Sequence, residues 1–259
     1  MEFKESNETE LKTENSKNTE IKSIEEIYDD LCTSDEKEIA EPTESEKNKP
    51  LFKEIHDIES EDRICQACVL KTGDTQYYDI LKFIKDPVTS CGVAIKRNEK
   101  IYTDSESIIY LIEEELRKIY KEEIDNSEKT GKKLNLKVPD IVYVGKLKGS
   151  KEMSKKYNIT EPAAGFLMLG NELNESIILT GYDEAALLSV TRLIDKGLKP
   201  AAVLAFPGGS GTQNKSKQYL REMSVDTPTI STMSAKGGRE IAAICMAEII
   251  KIVNEKINR

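Results

Sequence analysis

The stretch SIILTGYDEAALLSVTRLIDKGLKPAAVLAFPGGSGTQNKSKQYLREMSVDTPTISTMSAKGGREIAAICMAEIIKIV (176–253) decides the fold class. SIILTG (176–181) and AAVLAF (201–206) are short apolar runs that stop at Gly181 and at the Gly-rich turn PGGSGT (207–212). TPTISTM (227–233) reads as a third strand. Between and after them, YDEAALLSVTRLIDKG (182–197), NKSKQYLREM (214–223) and KGGREIAAICMAEIIKIV (236–253) carry helical spacing. Strands that alternate with helices build right-handed βαβ crossovers and a parallel sheet. Ligands of such sheets sit outside the carboxyl ends of the strands, which places Gly181, Pro207–Thr212 and Lys236–Gly238 at the expected site.

The segment before this stretch adds to the same pattern. A helix is expected over 51–74, ending at Gly73 as its C′ residue, followed by a strand within TQYYDILKF (75–83). DPVTSCGVAIKRN (86–98) suits a helix with Pro87 in its first turn. KIYTD (100–104) is a short strand, and Asp104 is expected to cap the helix SESIIYLIEEELRKIYKEEI (105–124). NSEKTGKKLNLK (126–137) reads as a charged loop, PDIVYVG (139–145) as a strand, and ITEPAAGFLMLGNEL (159–173) as a helix starting near Thr160. Residues 1–50 differ in kind: Glu, Lys, Ser, Thr and Asn dominate, and so little apolar surface cannot offset the entropy of ordering. The expected organisation is a disordered acidic tail, 1–50, with IEEIYDDL (24–31) as a helical island, and one α/β domain, 51–259.

A formal net charge of −9 with no basic cluster argues against nucleic acid as a partner. No apolar run is long enough to cross a membrane, and MEFKESNETE is not a signal peptide. The five cysteines have no secreted-type spacing, which points to a reducing cytoplasm. Cys65 and Cys68 form a lone C-x-x-C inside a helical pattern, where core packing is favoured over metal or redox chemistry. The sole histidine, His56, leaves little for a Ser-His-Asp triad or a His-metal site. FPGGSGT (206–212) and Lys236-Gly237-Gly238 suit either an anion held by backbone amides or tight turns against the sheet.

These residues, in this order, resemble the precorrin-8X methylmutase (precorrin isomerase) family over about 58–253. Gly181, Ala186 and Leu187 match the family's G-N-A-P-T-A-L, and Lys196–Ala201 its acidic-Gly-x-x-P-A turn. Pro207, Gly209, Ser216 and Lys217 match P-V-G-F-V-x-A-x-E-S-K, and Lys236, Gly237 and Gly238 match G-x-x-G-G-S. In the first half, LKTGD (70–74) resembles the end of I-H-A-T-G-D, and KIYTD the family strand that ends in Asp. ITEPAAG (159–165) resembles T-R-x-A-A.

The resemblance implies a three-layer, flavodoxin-like parallel sheet with helices on both faces, and a homodimer. It implies the isomerisation of precorrin-8 or cobalt-precorrin-8, shifting a methyl group to give hydrogenobyrinate or cobyrinate during cobalamin biosynthesis. It calls for no cofactor and no protein-bound metal. The substrate-binding residues it implies are Thr72, Gly73, Asp74, Asp104, Gly181, Pro207, Gly209, Ser216, Lys217, Lys236, Gly237 and Gly238. The family's proton-donating His falls on Leu70, or on Gln66 if the alignment shifts, which leaves the acid unassigned and Lys71 or His56 as substitutes. The Asn of G-N-A-P is Tyr182, the Arg of T-R is Glu161 and the Glu of E-S-K is Lys215. The alternative that follows is a catalytically inactive paralogue that binds a tetrapyrrole or partners a true methylmutase.

Overall fold

Strands buried on both faces read as near-continuous apolar runs, and two of the quoted runs have that character. In the computed structural model, which describes residues 58–130, 136–209 and 215–257, β4 (Ile177–Thr180) and β5 (Ala202–Ala205) have every residue buried. Around them lie β1 (Leu81–Ile84), β2 (Ile101–Thr103), β3 (Ile141–Tyr143) and β6 (Thr229–Thr232), giving a six-stranded sheet in the order β1-β6-β5-β4-β2-β3. The described residues lie within one compact unit, Lys53–Arg259.

Five strands run parallel, in the order β3-β2-β4-β5-β6. Numbered by chain order among themselves they read 2-1-3-4-5, the flavodoxin-like order, with its switch point between β2 and β4. The sixth strand departs from the expected all-parallel sheet, because β1 pairs antiparallel with β6, Leu81 opposite Thr232 and Ile84 opposite Thr229. Its entry explains the direction. Helix α1 (Ile58–Thr72) delivers the chain to the carboxyl edge of the sheet, so β1 has to run back down. Tyr77–Ile80, expected to be strand, forms a single helical turn, α2, before β1 starts. Helix α3 (Pro87–Arg97), capped by Asp86 accepting from the Thr89 N–H, then crosses to β2. Its eleven residues span about 16 Å, close to the roughly 19 Å from β1 past three intervening strands.

The remaining helices are α4 (Glu106–Ile119), α5 (Lys121–Thr130), α6 (Ser150–Tyr157), α7 (Glu161–Leu169), α8 (Glu184–Asp195), α9 (Lys215–Met223) and α10 (Arg239–Ile257). Helix α5 occupies part of the segment expected to be loop, and Thr160 caps α7 as expected, accepting from Ala163 N–H. Helices α1, α3 and α4 pack on α10, and α7 and α9 flank α8, so the sheet lies between two helical layers. Helix α10 is apolar nearly all round, with Ile241–Ile250 buried without a break, because it lies under the sheet with neighbours on both sides. Arg63 clasps α1 to it, donating to Glu248 (2.7 Å) and Glu255 (2.6 Å). Cys65 and Cys68 are buried on the same contact, with Cys68 Sγ 3.6 Å from Cys245 Sγ, and they serve packing. The expectations for the tail 1–50, the helical island 24–31 and His56 lie outside the described residues.

Candidate active site

The switch point is held by one buried carboxylate. Asp104 follows β2 and is 1% exposed. It does not cap α4; Ser105 occupies that cap position. Instead Asp104 reaches across the sheet to the turn after β4, where its Oδ2 accepts from the N–H of Tyr182 (2.9 Å) and Asp183 (2.7 Å). The Gly181 N–H lies 3.1 and 3.2 Å from its two oxygens. A turn that leaves three amides without backbone acceptors needs such an acceptor. Burial pushes the Asp104 carboxyl up to about 6, against the pull of the three amides in the other direction. Asp183 then caps α8, accepting from the N–H of Ala185 (2.8 Å) and Ala186 (3.3 Å).

Glycine is required where the last helix meets this edge. A Cβ on Gly237, whose φ is +150°, would collide with Phe206 O. The Gly238 N–H donates to that same oxygen at 2.6 Å. A Cβ on Gly181 would meet Ala242 Cβ at 2.9 Å. Of the two readings left open for Gly237-Gly238, close approach to the sheet is therefore realised in the structure.

Above these contacts a cavity of about 640 Å³ opens over the carboxyl ends of β2, β4 and β5. Gly181, Gly237 and Gly238, three of the residues singled out in the sequence, line it. Its other walls are Ser107, Tyr110 and Leu111 of α4, with Tyr182, Gly208, Arg239 and Glu240. The volume suits a substantial small molecule. A smaller cavity of about 330 Å³, touching Arg97, Glu175 and Lys199, lies at the amino edge, away from the end where parallel sheets bind ligands.

The other expected site residues support the loops around the cavity. Lys217 is fully buried and directs its three ammonium protons inside the protein: to Thr232 Oγ1 (2.5 Å), Ser234 O (2.7 Å) and Lys236 O (3.0 Å). It pins the loop between β6 and α10, and burial together with the nearby Arg221 charge pulls it down to about 8. Ser216 is buried beside it. Lys236 pairs with Asp74 and donates to Gln76 Oε1 (2.6 Å), so the expected cation and the expected T-G-D segment meet. Lys236 holds the Asp74 carboxyl below its usual range. Gly73 is the C′ residue of α1, its N–H donating to Val69 O (2.8 Å), and Thr72 Oγ1 donates to Cys68 O. Pro207 is buried, and the Gly209 N–H donates to Ala235 O (3.2 Å). Leu70 is 78% exposed at the end of α1, and Lys71 beside it is engaged by Glu115 at 2.7 Å.

Five side chains that give the cavity its polar and aromatic character lie outside the expected site residues: Ser107, Tyr110, Tyr182, Arg239 and Glu240, of which the sequence reading notes only Tyr182, as a departure from the family pattern. Arg239 and Tyr182 each sit one residue beyond a recognised glycine, and that adjacency is the available signal. Ser107 and Tyr110 are ordinary residues of the first two turns of α4, and nothing in their spacing sets them apart. Among the described residues no group of three or more His, Cys, Asp or Glu side chains is arranged to hold a metal, and no helix is long and apolar enough to cross a membrane.

Residues 51–252 match the family model described as CbiC: Precorrin-8X methylmutase. The cobalt-precorrin-8 methylmutase of Methanocaldococcus jannaschii is 28% identical over 205 residues, covering 76% of this chain and 83% of that protein. The cobalt-precorrin-8 methylmutase of Leptospira interrogans is 26% identical over 201 residues, covering 76% of this chain and 84% of the relative. Among solved structures, the precorrin-8x methyl mutase of Thermus thermophilus superposes with a TM-score of 0.61 at 18% identity, over 77% of this chain and 93% of that one. A precorrin-8X methylmutase related protein gives 0.57 at 19% identity, over 74% and 92%.

Proposed function

The chain belongs to the precorrin-8X methylmutase family, and from that premise we propose that it is an isomerase of cobalamin biosynthesis acting on precorrin-8 or cobalt-precorrin-8. The reaction moves one methyl group between two carbons of the same macrocycle. One carbon–carbon bond breaks and another forms, so atoms and electrons balance without an oxidant, a reductant or a cofactor. The observation that carries the reading is the switch-point cavity, built on Asp104, Gly181 and Gly237-Gly238 at the positions where the family pattern has its own Asp and glycines.

Much of what such a site contributes is orientation. A rearrangement within one bound molecule is accelerated when the migrating and accepting carbons are held in a reactive geometry. The walls described above supply aromatic faces, from Tyr110 and Tyr182, and donors, from Ser107 and Arg239, for a flat, acid-bearing ring. The family's proton donor has no counterpart at Leu70. Lys71 is held by Glu115, which weighs against it as the substitute acid. Matches to two methylmutases over more than four-fifths of their lengths favour the isomerase over the inactive paralogue.

The homodimer implied by the family remains part of the proposal. Exposed Leu70, Tyr78 and Met233 near the carboxyl edge supply apolar surface for it. A cytoplasmic location fits the buried thiols of Cys65, Cys68, Cys91 and Cys245, which form no disulfide among the described residues. The test is titration with hydrogenobyrinic acid followed by visible absorbance, together with turnover of precorrin-8. Binding with a shifted spectrum and product formation support the proposal; no binding at micromolar protein refutes it.

A further inference from the structure

Two departures from the family pattern touch each other at the cavity wall. Tyr182 stands where the family's first block has Asn, and Arg239 where its fourth block ends in Ser. The Arg239 guanidinium lies 4.8 Å from the centre of the Tyr182 ring. Its Nη1 donates to Ser107 Oγ at 3.2 Å, and Ser107 is in turn 2.8 Å from Ser105 Oγ. The stacked ring and the hydroxyl fix the direction of a side chain that would otherwise be a flexible surface arginine.

The other two cations recognised from the family pattern near this edge are already engaged within the protein. Lys236 is paired with Asp74, and Lys217 is buried on three oxygens. Arg239 has no carboxylate partner among the described residues; its contacts are Tyr182 and Ser107. Four of its five N–H donors therefore remain to face a ligand. Its sequence neighbour Glu240 also lines the cavity and disfavours an anion on that side.

We propose that Arg239, held by Tyr182 and Ser107, is a carboxylate clamp, which grips one acidic side chain of the macrocycle and so fixes the rotation of the ring over the switch point. This rests on the tetrapyrrole reading. The clamp takes over anion recognition that the family pattern places on side chains this chain lacks. Arginine suits it better than lysine because a planar fork binds a carboxylate with two parallel hydrogen bonds.

The experiment titrates the full chain and its Arg239→Gln, Arg239→Lys and Tyr182→Ala variants with two probes. One is hydrogenobyrinic acid; the other is the same macrocycle with its carboxylates converted to amides. Arg239 and Tyr182 are exposed, and unchanged circular dichroism checks that each variant folds. Arg239→Gln is expected to weaken the acid by about ten- to hundredfold and the amide by less than about threefold, with Arg239→Lys in between. Tyr182→Ala should show part of the same acid-selective loss. Equal losses for both probes, or none for the acid, overturn the clamp while leaving the family function intact. Failure of the unaltered chain to bind either probe overturns both.

Discussion

Replacing Asp104 with asparagine tests the hinge of the whole site. The carboxyl lies near 6 in the folded chain and at 3.8 in its ordinary state, a gap that corresponds to about 3 kcal/mol. A folded-state value raised above the unfolded one means that the folded chain holds the proton more tightly. The contribution of Asp104 to stability is therefore complete below about pH 4, declines between about pH 4 and 6, and stays at its lower level above. The amide introduced by Asp104→Asn does not titrate. The stability of the wild type minus that of the variant should then fall by about 2.5 kcal/mol between about pH 4 and about pH 7.5. Urea unfolding followed by far-ultraviolet circular dichroism, at half-unit pH steps, measures the difference and cancels the other titrating groups. At every pH the variant also turns an amide group toward the N–H of Gly181, Tyr182 or Asp183, which lowers its stability by a constant amount. A difference that is flat with pH would refute the reasoning. So would one that grows with pH, because it would mean that the three amides outweigh burial and that the charged form stabilises the fold.

Three further outcomes are expected. Leu70→His restores the family's acid at an exposed position, and turnover of precorrin-8 should rise by about 10²–10⁴, with a new pH dependence near the imidazole range. Lys217→Met strands the Ser234 carbonyl and removes one donor each from Thr232 Oγ1 and Lys236 O, which keep their bond to each other (2.6 Å), and should cost about 1–3 kcal/mol in urea unfolding while weakening the binding of hydrogenobyrinic acid through the loosened 233–238 loop. A chain shortened to start at Leu51 should unfold as cooperatively as the full chain, since the compact unit begins at Lys53; loss of its cooperative transition in calorimetry would place the domain boundary earlier.

The division between what can and cannot be read from the chain follows from range. β4 and β5 are legible because strands buried on both faces cannot hide their composition, and Gly73, Pro87 and Thr160 because caps are decided by neighbours a few residues away. Asp104 shows the limit. An Asp before a helix is locally a cap, and nothing nearby in the sequence reveals that three amides 77 to 79 positions later have no other acceptor. The antiparallel β1 escapes for a related reason: its own residues suit either direction, and only the exit point of α1 at the carboxyl edge chooses. Lys217 and Lys236 do lie near the site, but the sequence pattern assigns them to the ligand, because it records that a cation is kept and not what neutralises it. Arg239 is the converse. It matches no block, yet the lysines' internal commitments leave it as the cation at the cavity wall without an acidic partner among the described residues. In a divergent member of a family, the residues that break the pattern at the edge of a shared cavity therefore carry as much weight as those that keep it, and Tyr182 against Arg239 is where that argument is tested first.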